Sequence, residues 1–599
     1  MPEQALAGVV GALLATDRDD AARVADRLHA VTARWGRPAR LGVDAGALLV
    51  AGAARLLAGR RLADLDGDDR EAVLRLLGGR PGGAPLLDAL KTVTLLAAGT
   101  AGTVAEVPGG RPDAELDCVP ADEWPLRATA DAVVVGSGAG GAMAARTLAR
   151  AGLHVVVVEE GRRHVVAEFR SRPPVDRFGE LYRDGGATVA LGRPPILLPM
   201  GRGVGGTTLV NAGTCYRTPE RVLRRWRDRH GVELADPARF GPLLDEVEST
   251  LGVAEQPLDV LGGNGLVALA GARALGWRAG PLRRNAPGCA GSCQCVVGCP
   301  RNAKNGVHLT ALPQACAAGA RILTGARVHR ILLDRGRGAG VVIRRRRGPD
   351  LEILAPLVVI AAGATETPRL LWRSGLGHPG LGRGLAIHPA TSVAGRFAEP
   401  VMAWRGVLQS VGIEELHDHG ILIEATAGPP GLSSFVYPGV GRALRAELAA
   451  ADHLATLGAM IADQPSGRVY QRFVRYRLAR DDEQRLRAAS VAMAQVLFAA
   501  GAREVLTGAG AAGNLTDFEA VLGSTSISGL HLAAFHPTGS ARLGTNPRRD
   551  PVRPDGRLRG VAGVYVADAS LLPTCPEVNP QLTIMALALG VAEAAVTAG

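Results

Sequence analysis

The chain has 599 residues, of which 47% are hydrophobic and only 4% aromatic, so a sizeable core must be built mainly from Ala, Val and Leu. That apolar fraction excludes a disordered chain. A formal net charge of +11 raises nucleic acid or an anionic membrane as partners, yet the basic runs at residues 221–229 and 344–347 are short and carry one aromatic, Trp226. That is too little for base stacking. The expectation is an Arg-rich coding bias and no nucleic-acid partner, with peripheral contact to a membrane left open.

Met1-Pro2-Glu3-Gln4 shows no basic segment leading into an apolar one, which reads as no secretory signal. No apolar run reaches about 18 residues, and Arg55 interrupts the longest candidate, residues 45–57. The expectation is therefore no membrane span and a cytoplasmic setting, possible periphery to a membrane aside, where the eight cysteines stay reduced.

Residues 1–122 read as a helical domain. Asp64 to Leu74 shows an acidic start followed by apolar residues at three and four spacing, and an acidic, proline-bounded connector at residues 112–125 closes it. The pattern then changes. Ala132-Val133-Val134-Val135 predicts a buried strand, residues 142–151 a helix, and Val155-Val156-Val157-Val158 a second strand, together a βαβ unit. Further strands are expected at 328–333, 341–345, 351–360 and 564–567. The predicted architecture is α/β: a Rossmann-like domain at residues 123–390 and 527–599, an α+β substrate-binding cap at 391–526, and the N-terminal helical domain.

Gly136-Ser137-Gly138-Ala139-Gly140-Gly141 joins the first strand to the helix. Gly136 permits the tight turn, Gly138 lets backbone approach a pyrophosphate, and Gly141 lets helix pack on strand. The helix N-terminus favours the anion. Glu159, 18 residues after Gly141, is placed to accept hydrogen bonds from ribose hydroxyls and would repel a 2′-phosphate. These features indicate a dinucleotide but do not separate FAD from NAD.

Three later segments do so by resemblance. Gly201-Arg202-Gly203-Val204-Gly205-Gly206-Thr207-Thr208-Leu209-Val210-Asn211, then Ala362-Gly363-Ala364-Thr365-Glu366-Thr367-Pro368, and finally residues 531–583 follow the βαβ unit in order. With it they resemble the glucose–methanol–choline family of FAD-dependent oxidoreductases from about residue 129 to the end. The resemblance implies that Gly205, Gly206, Thr207, Thr208 and Asn211 contact the flavin. Paired glycines let backbone lie against the ring, and the hydroxyls and amide offer donors. It likewise implies that Val328 contacts adenine, and that Asp568 and the Asn579-Pro580 turn opening the last helix lie against the cofactor.

His536, in His536-Pro537-Thr538-Gly539, falls on the family's catalytic histidine, and Asn579 where members carry a second His or an Asn. A neutral imidazole accepts the proton of an alcohol, and an amide orients its oxygen. His531, His388 and His308 are the other candidates among 13 histidines. The implied activity is oxidation of an alcohol carbon. An apolar long-chain or sterol-like alcohol is expected, because the His and Asn pairing resembles sterol oxidases, with O2 or a quinone or cytochrome as acceptor. A few relatives keep FAD structurally, so a non-redox lyase is an alternative.

Cys289, Cys293, Cys295 and Cys299 lie within 11 residues. They suit an iron–sulfur cluster, a zinc site, or plain packing. Cys295-Val296-Val297-Gly298-Cys299 and Lys304 resemble long-chain alcohol oxidases, while a loop ending in Cys299-Pro300 resembles that of cluster-holding sugar dehydrogenases. An iron–sulfur cluster relaying electrons is the expectation taken forward. The helical domain is loosely similar to the small helical subunit of those dehydrogenases.

Overall fold

The structure, a computed structural model, describes residues 2–35, 37–80, 83–98, 109–345, 348–428, 437, 439–530 and 532–598. The centre is a six-stranded sheet in which every pairing is parallel. Its strands run, edge to edge, Cys118–Pro120, Arg321–Thr324, Val155–Val158, Ala132–Val135, Leu357–Ile360 and Val564–Val566. The two all-valine and near-valine strands are buried at every position, as a sheet covered on both faces requires. Helix Ala139–Arg150 makes the crossover between them and packs against the C-terminal helix Gln581–Ala598. Both helices are rich in Ala and Gly, which lets their axes approach closely.

Residues 351–360 read as one strand but form two. Leu351–Leu354 pairs antiparallel with Arg337–Arg344 in a four-stranded sheet, whereas Leu357–Ile360 enters the central sheet. Pro356, without an N–H to continue a ladder, stands between them. The connector after the helical domain is likewise structured, since Cys118–Pro120 forms the edge of the central sheet.

A 13-stranded sheet forms the second body. Its strands come from residues 389–396, 409–413, 421–426 and 454–461, but also from 189–197, 279–281 and 533–534. It therefore reaches beyond residues 391–526 on both sides. Helix Arg480–Ala499 packs against strands Pro389–Arg396 and Leu454–Ile461.

Among the described residues, five helices, Pro2–Leu14, Arg18–Trp35, Arg37–Ala58, Gly67–Gly78 and Gly83–Ala98, make the N-terminal domain. Asp66 caps the fourth by accepting from Asp69 N at 2.9 Å. Leu6, Leu13, Leu28, Val50 and Leu74 form a separate core that also takes in Leu444, from helix Gly441–Ala449 of the second body.

Candidate active site

The nucleotide end of the site follows from the glycine loop. Gly136 has φ +104°, and a Cβ there would strike Ala361 O, so only glycine fits. A Cβ on Gly141 would overlap Gly136 O, and one on Gly140 would overlap Ala567 O. Gly138 differs. Its nearest neighbour in the Cβ direction is Gly206 Cα at 3.8 Å, so its surface is kept open. The cleft beyond is lined by Gly136, Gly138, Glu159, Gly206, Val328 and Asp568, among others.

Glu159 does more than face this cleft. Its carboxylate accepts from Ser137 N (3.1 Å), Ser137 Oγ (2.7 Å) and Gly161 N (2.8 Å), pinning the loop to the end of the second strand. The adjacent Glu160 lines the same cleft and is held by Arg183 and Arg327. Asp568 accepts from Gly363 N (2.8 Å), Thr367 Oγ1 (2.5 Å) and Ser570 N (2.8 Å). It thus ties the 362–368 segment to the C-terminal one. Bare glycine backbone for phosphates, a carboxylate at the second strand and the apolar face of Val328 fit the nucleotide half of FAD.

The flavin loop departs from expectation in two places. Thr208 Oγ1 donates to Gly205 O (2.6 Å) and accepts from Val307 N (3.1 Å), and Asn211 Nδ2 donates to Gln581 Oε1 (2.8 Å). These donors hold the loop in shape, because an unpaired donor here would be buried. Thr207 is different: its oxygen accepts from Gly201 N (3.2 Å), its proton stays available, and it lines the cleft. Gly205, Thr208, Asn211, His536, Asn579 and Pro580 do not line that cleft.

At the other end, His536 stands against His388, with the two Nδ1 atoms 3.1 Å apart and the rings edge to face. Strand register brings them together: Pro389 pairs with Ala534 and Ala386 with Thr538, so the two imidazoles fall opposite each other. His388 has φ +52°, a conformation uncommon for a residue with a Cβ. It is held there by Asp463, whose oxygens accept from Ile387 N (3.0 Å), His388 N (3.1 Å) and Tyr476 Oη (2.8 Å). Burial pushes His536 down to about 4 and His388 well below its ordinary value, so both rings are neutral. One Nδ1 must then donate to the other.

Asn579 is buried, and its Oδ1 has no protein partner. Its neighbour is Glu424, which motif reading missed because it lies in an ordinary-looking strand, Ile421–Thr426. Glu424 Oε2 accepts from Gln409 Nε2 (2.9 Å), and Oε1 has no partner. Burial pushes this carboxyl up to about 7, while the nearby Asn579 amide and the charge of Arg284 pull it down in part. A buried chain connects it to the flavin loop: Thr214 Oγ1 donates to Gln409 Oε1 (2.7 Å), and Gln581 Nε2 donates to Thr214 O (2.7 Å). The turn before Asn579 is clamped by Arg221 and Arg225 on Glu577 at 2.9 and 2.7 Å, which gives the basic run at 221–229 a local role.

Of the other histidines, His531 lies outside the described residues. His308 is buried beside Gly205, and burial pushes it down to about 3.

The four clustered cysteines do not converge. Among the described residues no group of three or more His, Cys, Asp or Glu side chains is arranged to hold a metal. The fully buried Arg284 lies between Cys289 Sγ (3.9 Å) and Cys295 Sγ (3.2 Å). Cys293 and Cys295 pack with Ala403, Leu408 and Ala427. A guanidinium stands where a cluster's iron or a zinc ion would repel it, so the iron–sulfur expectation finds no support in this geometry, and packing accounts for the loop.

The GMC oxidoreductase model matches residues 178–390 and 465–588, and the NAD(P)-binding Rossmann-like model residues 134–174. A GMC-type oxidoreductase of Mycobacterium tuberculosis, described as uncharacterized, is 54% identical over 590 residues, covering 96% of this chain and 94% of its own. The chain belongs to the GMC oxidoreductase family. A long-chain-alcohol oxidase of Arabidopsis thaliana is 32% identical over 77% of this chain and 66% of its own. The crystal structure of pyridoxine 4-oxidase from Mesorbium loti superposes with a TM-score of 0.62 at 19% identity, over 77% of this chain and 98% of that one. This GMC oxidoreductase is accordingly an FAD-dependent enzyme that acts on CH–OH donors.

Glu424 gives a pH-dependent stability. The folded protein holds its proton up to about pH 7, whereas the unfolded chain releases it in the ordinary carboxyl range. Between those values the folded state binds more protons, so this group's contribution falls as pH rises. Glu424→Gln is expected to melt higher than the parent at pH 8, by an amount on the order of 3 kcal/mol. The advantage should shrink towards pH 5 in paired thermal melts.

Proposed function

We propose that this GMC oxidoreductase oxidises an apolar alcohol of the long-chain or sterol-like kind, with His536 as the base and dioxygen as electron acceptor. The observation that carries the reading is the neutral pair made by buried His388 and half-buried His536. When His536 donates its Nδ1–H to His388, Nε2 is left with a lone pair for the hydroxyl proton. The imidazolium that forms still has a neutral acceptor in His388, so its charge is not stranded. Asn579 and Glu424, each with an unpartnered buried oxygen, offer hydrogen-bond acceptors that hold the alcohol in register. FAD, when bound, takes the hydride from the alcohol carbon. The long-chain-alcohol oxidases among its relatives favour a fatty alcohol.

The reading is tested by adding alcohols to the FAD-loaded enzyme without oxygen. Long-chain primary alcohols are expected to bleach the flavin, and readmitted oxygen to restore it with release of peroxide. No bleaching by any alcohol would favour the non-redox lyase. Bleaching that only a quinone or cytochrome reverses would make it a dehydrogenase. Faster bleaching by sugars than by fatty alcohols would overturn the apolar substrate.

A further inference from the structure

Helix Arg37–Ala58 is apolar on two opposite faces, and only one of them is used. Ala47, Val50 and Ala54 are fully buried in the core of the N-terminal domain, and a Cβ on Gly46 would press on Leu86 and Leu90 at 3.3 Å. On the other side Leu41, Leu48, Leu49 and Leu56 are 65, 44, 64 and 88% exposed. Their spacing, with Ala45 and Gly52 between them, keeps them within one stripe of a helix with 3.6 residues per turn. Gly42, Gly52 and Gly59 have nothing within 4 Å in their Cβ directions, so the stripe is open along its length. From Arg40 to Ala58 the helix is long and apolar enough to cross a membrane, yet only 28% of that stretch is buried. This departs from the expectation set by counting uninterrupted apolar residues.

We infer that this face docks in the plane of an anionic lipid bilayer surface. A transverse helix is excluded by the core packing of Val50 and its neighbours, which a span would have to abandon. A helix with one face in a protein core and the other bare suits the interfacial arrangement, with leucines reaching the acyl boundary. Charge selects the partner. Arg40, Arg55, Arg60 and Arg61 are exposed beside the stripe. The helix's one carboxylate, Asp44, is engaged by His29 at 2.9 Å and Arg40 at 4.0 Å. Of the exposed acidic residues that follow at 64, 66, 68 and 69, Asp66 caps the next helix and Asp68 pairs with Arg442. Anionic headgroups attract such arginines, whereas two copies of this face would bring them together with like charge. Because helix Gly441–Ala449 of the second body packs on this domain, docking would bring that body to the lipid as well.

The test is co-sedimentation of the full FAD-loaded chain with vesicles of phosphatidylcholine alone and of phosphatidylcholine mixed with phosphatidylglycerol. Binding is expected to the mixed vesicles and to weaken with salt. Each leucine buried is worth about tenfold in partitioning, so Leu48→Glu, Leu49→Glu and Leu56→Glu combined should release the protein. Leu258→Glu with Leu266→Glu, on exposed leucines elsewhere, should not. Arg55→Glu with Arg60→Glu should lower binding to mixed vesicles several-fold, and it decides the matter if the triple variant loses its flavin. Failure of the parent to sediment with mixed vesicles would overturn the inference. So would light scattering that shows a dimer dissociated by the triple variant, since a second copy would then cover the face. Neither outcome bears on the chemistry proposed at His536.

Discussion

His536→Gln is expected to lower kcat by roughly 10²–10⁴-fold, the range that positioned acid–base help supplies, while the flavin stays bound. Glutamine retains a hydrogen bond towards His388 but has no nitrogen that accepts a proton at neutral pH. The nucleotide cleft is lined by other residues, so the absorbance of the flavin and its ratio to protein should not change. The rate of anaerobic flavin reduction should fall as kcat does, because the loss is in the proton-coupled step. His388→Ala should have a smaller effect, about tenfold, by removing the acceptor that fixes the His536 tautomer. A fall of less than tenfold in His536→Gln would place the base elsewhere. Glu424, with its carboxyl pushed up to about 7, would then be the next residue to replace.

The nucleotide half of the site was legible in the sequence because its requirements are local. A strand, a turn that only glycine can make, a helix and a terminal carboxylate occupy residues 132–159 without a break, and each part constrains the next. Val328 and Asp568 were found by motif order and do line the cleft. The half of the site proposed to handle the proton was only partly legible. His536 and Asn579 came from their motifs, but His388 becomes its partner through the pairing of strands 148 residues apart. No periodicity reveals such a register. Glu424 was hidden for a related reason: a single ionisable residue after Ile421-Leu422-Ile423 reads as the solvent-facing end of an apolar strand until the sheet is seen to be covered there.

Where residue type leaves a role open, hydrogen-bond accounting bears on it. Thr208 and Asn211 carry the donors a flavin could use, and the loop itself takes the Thr208 hydroxyl and one N–H of Asn211. Cys289 and Cys295 are close in sequence but flank the Arg284 guanidinium in space. Spacing alone does not say whether a loop wraps its sulfurs around one point or spreads them around a guanidinium.

The glycine loop separates two kinds of requirement that a motif treats alike. Gly140 is expected to tolerate no side chain at all. A Cβ there would overlap Ala567 O and lie 3.2 Å from Asp568 Cα. Neither can move freely, since Ala567 N donates to Ile360 O at the sheet's edge and Asp568 holds Gly363 and Thr367. Gly140→Ala should therefore cost about 3 kcal/mol or more, and it should deliver a protein that melts many degrees lower and comes off purification short of flavin. Gly138→Ala should behave differently. Its added methyl meets nothing nearer than Gly206 Cα at 3.8 Å and projects into the nucleotide cleft. The apoprotein should melt within a few degrees of the parent, while the Kd for FAD rises tenfold or more as the methyl holds the phosphates away from the helix N-terminus. Paired melts of the two apoproteins and flavin titrations by fluorescence would check both. If Gly138→Ala bound FAD as tightly as the parent, the pyrophosphate would not lie over this turn, and the placement of the cofactor along the cleft would have to be redrawn.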